Sequence, residues 1–286
     1  MSFDANAHRD ESLENWEDAA SGWVCRQELL RAWAAPVSHW MLDAVTLQPG
    51  QRVLELAAGL GETGMLAAEL VAPMGGVVIS DQAEAMLEGA RARANALGLS
   101  NIEFQVLNAE WIDLPVASVD AVLCRWGYML MADPAAALAE TRRVLRPGGH
   151  VALAVWDTLE RNPWALLPTQ ELISRGITPP PDPAAEPRPG PFALGEDWRV
   201  RELLEQAGFA DVQVEGIDLA RRHEGFEDLW DSTLDLSRSF HDAVFSRPAD
   251  EIDQIKVSLA ERFAPYTAPD GILEIPGRTL VACASA

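Results

Sequence analysis

Val53-Leu54-Glu55-Leu56-Ala57-Ala58-Gly59-Leu60-Gly61-Glu62-Thr63-Gly64 is the stretch on which the fold turns. An apolar strand ends in an acidic residue and a glycine loop, and a helix of small residues follows at once. Glycines at 59 and 61 tolerate positive φ and let the backbone touch a ligand. A strand, glycine loop and helix in that order place the loop at the carboxyl edge of a sheet, where nucleotides bind. Gly59, Gly61 and Gly64 also satisfy the dinucleotide fingerprint G-x-G-x-x-G, so the stretch alone leaves the ligand open.

Working outward, strands and helices alternate. Upstream, residues 12–45 carry an apolar face at helical spacing (Trp23, Leu29, Leu30, Trp33, Val37, Trp40, Met41, Leu42). Downstream come a helix over about 63–71, the strand 77–80, and a helix over about 83–97 closed by Gly98. Ile102, Phe104 and Val106 alternate as a third strand, and Ala121–Cys124 is a fourth, apolar throughout and so buried on both sides. Asp133 reads as an N-cap with Pro134 in the first helical position. That helix carries Arg142, Arg143 and Arg146 towards its end, Pro147-Gly148-Gly149 stops it, and 151–156 is a fifth strand. This alternation predicts an α/β fold with a parallel sheet and helices on both faces.

Beyond Trp156 the pattern changes. Thr178–Pro191 holds seven prolines in 14 residues and reads as an extended surface loop. A helix near 197–207, a strand near 212–219, amphipathic helices around 226–240 and 252–263, and a closing apolar strand, Thr279–Cys283, complete the chain. The expected layout is an N-terminal helical cap (1–43), a cofactor-binding core (44–156), a substrate cover (157–275, with the 212–219 strand) and a closing strand (276–286).

The chain has 286 residues, 48% of them hydrophobic and 23% charged, and carries a formal net charge of −22. A surface that negative repels nucleic-acid backbones and anionic lipid. Cys25, Cys124 and Cys283 form no disulfide framework and no C-x-x-C pair. The acidic start of the chain lacks the apolar core of a signal peptide, and no apolar run reaches the ~20 residues of a membrane helix. A cytoplasmic protein without nucleic-acid or membrane partners is the expectation. No metal-ligand cluster stands out.

Several residues carry candidate chemistry. Asp81, at the end of the second strand and 22 residues past Gly59, suits the two hydroxyls of a ribose, or caps the next helix with Glu84. Asn108-Ala109-Glu110 ends the third strand at the same edge, either reading an adenine or making a polar turn. Cys124-Arg125-Trp126-Gly127 ends the fourth, where Cys124 reads as a small core residue rather than a nucleophile.

Together these pieces resemble the class I S-adenosylmethionine-dependent methyltransferases, in the branch of the ubiquinone/menaquinone C-methyltransferases and many small-molecule methyltransferases. Val53–Gly61, Val78–Leu87, Asn108–Glu110 and Asp120–Arg125 match. Arg142-Arg143-Val144-Leu145-Arg146-Pro147-Gly148-Gly149, the turn into strand five, discriminates best. The resemblance implies a Rossmann-like, seven-stranded, mostly parallel sheet with helical covers, and S-adenosylmethionine as cofactor with S-adenosylhomocysteine as product. It implies that Gly59 and Gly61 approach the cofactor's amino-acid part, that Glu55 supports that loop or the cofactor's amino group, and that Asp81 takes the ribose. Gln82, Met86, Asn108, Ala109 and Glu110 would then surround the adenine, Cys124 and Arg125 would lie near the methionine end, and Trp23 would lie over the cofactor from an N-terminal helix. Asn108 stands where the family usually has Asp, and Leu60 where it often has Thr.

The acceptor expected is small and apolar or aromatic, beside Trp126 and Tyr128, with Trp16, Trp164 and Trp230 as further candidates. Trp33, Trp40 and Trp230 at helical spacing read as core. A hydroxyl or amine acceptor needs a base. Of His39, His150, His223 and His241, the candidates are His223 and His241, with plain solvent exposure the alternative for each. A nicotinamide oxidoreductase competes, although the chain lacks a Tyr-x-x-x-Lys pair and has one lysine, Lys256. A non-catalytic cofactor-binding protein on the same fold is the third reading.

Overall fold

The computed structural model describes residues 3–181 and 188–286. The N-terminal helical stretch is two helices, α1 (Ala5–Cys25) and α2 (Gln27–Val45), broken at Arg26. Asp4 caps α1 by accepting from the Asn6 and Ala7 amides. The alternating region follows as β1 (Arg52–Glu55), α3 (Glu62–Val71), β2 (Gly76–Asp81), α4 (Glu84–Leu97), β3 (Ile102–Val106), β4 (Val119–Arg125), α5 (Pro134–Val144) and β5 (Leu145–Trp156). The rest is α6 (Pro163–Ser174), α7 (Asp197–Gln206), β6 (Ala210–His223), α8 (Phe226–Leu236), α9 (Arg238–Phe245), α10 (Ala249–Phe263) and β7 (Leu273–Ser285). The middle of the proline-rich Thr178–Pro191 stretch lies outside the described residues.

The seven strands form one sheet in the order β3-β2-β1-β4-β5-β7-β6. β1 to β5 are parallel, and β7 runs antiparallel between β5 and β6. β4 lies central because its residues from Ala121 to Cys124 are all buried, as a strand covered on both faces requires. α2 packs on α3 and across β5, β6 and β7, while α5 packs with α7 against the same end of the sheet. The order reverses between β1 and β4, and at such a switch point the outgoing loops diverge and leave a crevice above the strand ends.

Two elements differ from the sequence reading for tertiary reasons. α5 ends at Val144, so Arg146 lies in β5 and pairs with Asp120 at the base of β4 (2.6 Å) instead of complementing the helix end. The strand near 212–219 extends to His223 because β7 pairs with it through His223↔Leu273, which holds even its polar end in the ladder. A second apolar cluster joins α6, α8, α9 and α10 to Leu273 and Ile275 of β7, separate from the core around the sheet. No helix among the described residues is long and apolar enough to cross a membrane.

Candidate active site

The glycine loop after β1 is shaped by packing as much as by ligand access. Glu55 is buried and its Oε2 accepts the Gly64 amide at 2.9 Å. Burial pushes its carboxyl up to about 7, against the opposing pull of Arg125 and the Gly64 amide. A Cβ on Gly64 would stand 2.4 Å from that oxygen, so Gly64 is needed for α3 to sit on the carboxylate. Gly61, expected to approach the ligand, caps α3 at φ +73°, and a Cβ there would meet Ile79 at 3.1 Å, inside the core. Gly59 (φ +54°) does line a groove, 3.7 Å from the Trp23 ring when given a Cβ.

Asp81 stands across this groove. Its Oδ2 accepts the Gly59 amide (2.8 Å) and its Oδ1 the Ala83 amide (3.0 Å). Each oxygen keeps a lone pair for a hydroxyl. The capping-box alternative fails, since Glu84 pairs with Arg91, and the first amides of α4 are capped from α1, by Glu17 accepting from Glu84 and Ala85. Burial pushes the Asp81 carboxyl up while the Ala83 and Gly59 amides pull it down.

Gln82, Asn108, Ala109, Glu110 and Arg125 line the same groove. Asn108 Oδ1 accepts the Glu110 amide at 2.9 Å, so the polar turn and the groove wall are one feature. Arg125 is enclosed, 3.8 Å from Glu62 and over the Trp126 ring at 4.9 Å. Met86 and Cys124 are not in the lining. Met86 packs behind Leu60 with Ala20 and Ala83, and Cys124 is fully buried with its thiol pushed up to about 12 by burial, which leaves it no role as a nucleophile.

α1 closes the groove from above. Arg9 makes two bonds to Glu110, the His8 ring bonds the Leu130 carbonyl, and Gln82 bonds Ser12. Trp23 faces the groove with its Nε1 buried and unpartnered. Gly22 lies in the last turn of α1, where a Cβ would collide with the Asp235 carbonyl. It permits close approach of α8. The groove retains about 120 Å³ of free space, less than the roughly 300 Å³ at the low end of ligand pockets.

Beside it lies a larger cavity of about 520 Å³, which shares Trp16, Trp23, Leu30, Trp126 and Leu130 with the groove. Its wall is tryptophan. Trp126 stacks on Trp33 (4.9 Å) and Trp156 (4.5 Å), and Trp164 meets Trp156 edge-on at 4.9 Å. Trp126 takes φ +60°, a strained value for a bulky residue, and its Nε1 donates to Thr279. Tyr128, expected here, is instead buried with its hydroxyl on Thr141 at 2.6 Å, and Trp230 packs in the second cluster.

His223 lines this cavity, with Nδ1 3.2 Å from Asp228 Oδ2 and Nε2 buried and unpartnered. Burial lowers its pKa from 6.5, with Asp228 opposing, which leaves the ring neutral at pH 7. His241 is excluded from both spaces and pairs with Asp242 on the surface. His39 is exposed, and His150 sits in β5 at the far end of the sheet. Sequence reasoning missed Trp33 as a wall residue, and missed Trp156, Glu62, Asp228 and Arg221. For Arg221 one signal existed: Leu219, Arg221 and His223 alternate on one face of a strand.

A profile of the methyltransferase domain matches residues 47–178. Nocamycin O-methyltransferase of Saccharothrix syringae is 31% identical over 200 residues, 68% of this chain and 71% of that protein. The chain belongs to the class I S-adenosylmethionine-dependent methyltransferases. Ubiquinone/menaquinone biosynthesis C-methyltransferase of Xanthomonas oryzae is 37% identical over 42% of this chain and 46% of its own. Most such relatives are spanned over less than two thirds of their length. Among solved structures, a Bacillus halodurans protein at 21% identity shares the fold with a TM-score of 0.57, over 87% of this chain and 97% of its own.

Family membership makes this methyltransferase an enzyme with S-adenosylmethionine as cofactor, and the side chains lining the groove match that group's chemistry. Asp81 offers acceptors for a diol, and Glu62, whose buried Oε1 has no hydrogen bond and lies 4.0 Å from Arg93, stands beside Arg125 as an opposite-charge pair for an amino acid's ends. Among the described residues no cluster of His, Cys, Asp or Glu could hold a metal ion.

Proposed function

We propose that this methyltransferase methylates a hydroxyl of a small, mostly apolar aromatic acceptor lodged in the tryptophan-walled cavity, with His223 as general base. The carrying observation is that His223, paired with Asp228, lines a cavity sharing Trp126 and Leu130 with the cofactor groove. In this reading Gly59, Asp81, Gln82, Asn108, Ala109 and Glu110 hold the nucleoside. Glu62 and Arg125 hold the amino-acid part, and Glu55 keeps the loop in place. Bound S-adenosylmethionine supplies a methyl carbon already activated by its sulfonium.

The chain's own work is then positioning, exclusion of water and handling of one proton. The stacked faces of Trp33, Trp126 and Trp156 suit a flat ring. Asp228 holds the His223 Nδ1 proton, which leaves Nε2 as the atom that takes the proton of the acceptor hydroxyl. Nε2 is enclosed, so the acceptor must displace the side chains around it. A relative named for O-methylation supports oxygen as the methylated atom.

The test uses S-adenosylmethionine labelled in the methyl group with a library of phenols and aromatic hydroxy acids. His223→Ala is expected to lower kcat by roughly 10²–10⁴ while S-adenosylhomocysteine binds as in the wild type. Unchanged kcat with any accepted phenol removes His223 from the reaction.

A further inference from the structure

Arg221 is the one element of the acceptor cavity that hydroxyl methylation does not need. It projects from β6 two residues before His223, so both side chains leave the same face of the strand, ~7 Å apart. Its guanidinium lies over the Trp164 ring at 3.8 Å and the Trp33 ring at 4.1 Å, with Trp156 at 5.9 Å. Its Nε is buried and has no hydrogen-bond partner, and no carboxylate among the described residues pairs with it. Burial alone pushes it down to about 9, which leaves it charged at neutral pH.

A cation held among ring faces in a mostly apolar cavity without a counter-ion is costly, and those faces offset only part of that cost. The other arginines that line the groove and cavity are matched: Arg125 by Glu62, and Arg9 by Glu110. The cavity is mostly apolar, and none of its lining hydroxyls (Thr169, Thr178, Ser232, Thr233, Ser237, Ser239) bonds the guanidinium among the described residues. A planar guanidinium accepts a carboxylate through two parallel bonds, and the rings stacked beside it would hold that carboxylate's aromatic body flat.

We infer that Arg221 is a specificity-determining residue and that the acceptor is an aromatic carboxylate, its anionic group on Arg221 and its hydroxyl towards His223. This rests on the acceptor cavity assigned above, but not on which atom is methylated or on the base. A purely structural Arg221, clamping the tryptophans, would make no distinction between an anion and its neutral isostere.

The probes are 2-naphthoate and 2-naphthamide, equal in shape and differing in charge, titrated into the full chain saturated with S-adenosylhomocysteine. Binding is read by calorimetry and by quenching of tryptophan fluorescence. The wild type is expected to prefer the carboxylate by roughly 10- to 100-fold. Arg221→Met is expected to abolish that preference while still binding S-adenosylhomocysteine and the amide, and Arg221→Lys to retain part of it. Equal binding of the two probes by the wild type, no binding of either, or a preference that survives in Arg221→Met each overturns the assignment. Should Arg221→Met fail to fold, the wild-type ratio and Arg221→Lys decide alone. Loss of turnover in His223→Ala would leave this ratio intact, so the two readings fail separately.

Discussion

Asp81→Asn separates two tasks that one carboxylate performs. In the protein alone, its oxygens hold the Gly59 and Ala83 amides at 2.8 and 3.0 Å. An amide has one oxygen, so one of those N–H groups then faces an NH₂ and goes unsatisfied, which costs ~1–3 kcal/mol. Unfolding entropy of about 2.1 cal/mol/K per residue over this length converts that to a fall in Tm of about 2–5 °C. The remaining lone pairs are those assigned to the ribose diol. Replacing charge-assisted bonds by neutral ones, and losing one acceptor, removes a further ~1–3 kcal/mol of binding, a rise in the Kd for S-adenosylhomocysteine of about 5- to 150-fold. Calorimetry with S-adenosylhomocysteine and a thermal melt on one preparation report both numbers. Glu84→Gln is the control, because Glu84 pairs with Arg91 and its substitution should leave the Kd unchanged. A Tm that falls as expected with a Kd within twofold of wild type refutes the ribose assignment and leaves Asp81 as a brace for the glycine loop.

Glu55 carries a pH signature: raised from 4.5 to about 7, it contributes stability that is complete below pH 4.5 and lost as pH rises through about 7, on the order of 3 kcal/mol. Glu55→Gln stays neutral and should flatten the fall in Tm between pH 5 and pH 8; equal falls in both proteins contradict it. Gly59→Val should abolish S-adenosylhomocysteine binding in a folded chain, whereas Gly64→Ala should fail in folding, because its Cβ would lie 2.4 Å from Glu55 Oε2; circular dichroism beside calorimetry shows a reversal if there is one. Arg9→Gln should loosen α1 and speed S-adenosylhomocysteine association in stopped flow, and an unchanged rate means α1 does not gate the groove. With an accepted substrate, kcat should rise with pH and level off below pH 6.5, since burial lowers His223 and only its neutral form takes a proton; a limb centred above 6.5 contradicts that environment.

The alternation of apolar strands with small-residue helices, the glycine loop and the Leu145–Gly149 turn made the α/β core and its cofactor edge legible, because each is a local pattern of hydrophobic period and turn chemistry. Asp81 was legible as a polar residue at a strand end, but not which amides it binds, since Gly59 is 22 residues away in the chain. What each glycine does was hidden for the same reason: Gly61 and Gly64 answer to Ile79 and Glu55, and Gly22 to a carbonyl more than two hundred residues downstream.

Trp16, Trp126 and Trp164 were legible in the chain as candidates for an aromatic pocket, but the rest of the tryptophan-walled cavity came from tertiary structure. Trp33 reads as one more apolar residue on a helix, and only the crossing of α2 over β5 and β6 brings it against Trp126, Trp156 and Arg221. His223 and His241 look alike in the chain. Pairing of β6 with β7 carries one into a cavity beside Asp228, while a short surface helix leaves the other in solvent. Backbone periodicity is written over neighbouring residues, but a pocket is made of side chains from distant segments, and its chemistry exists only once packing has removed the water between them.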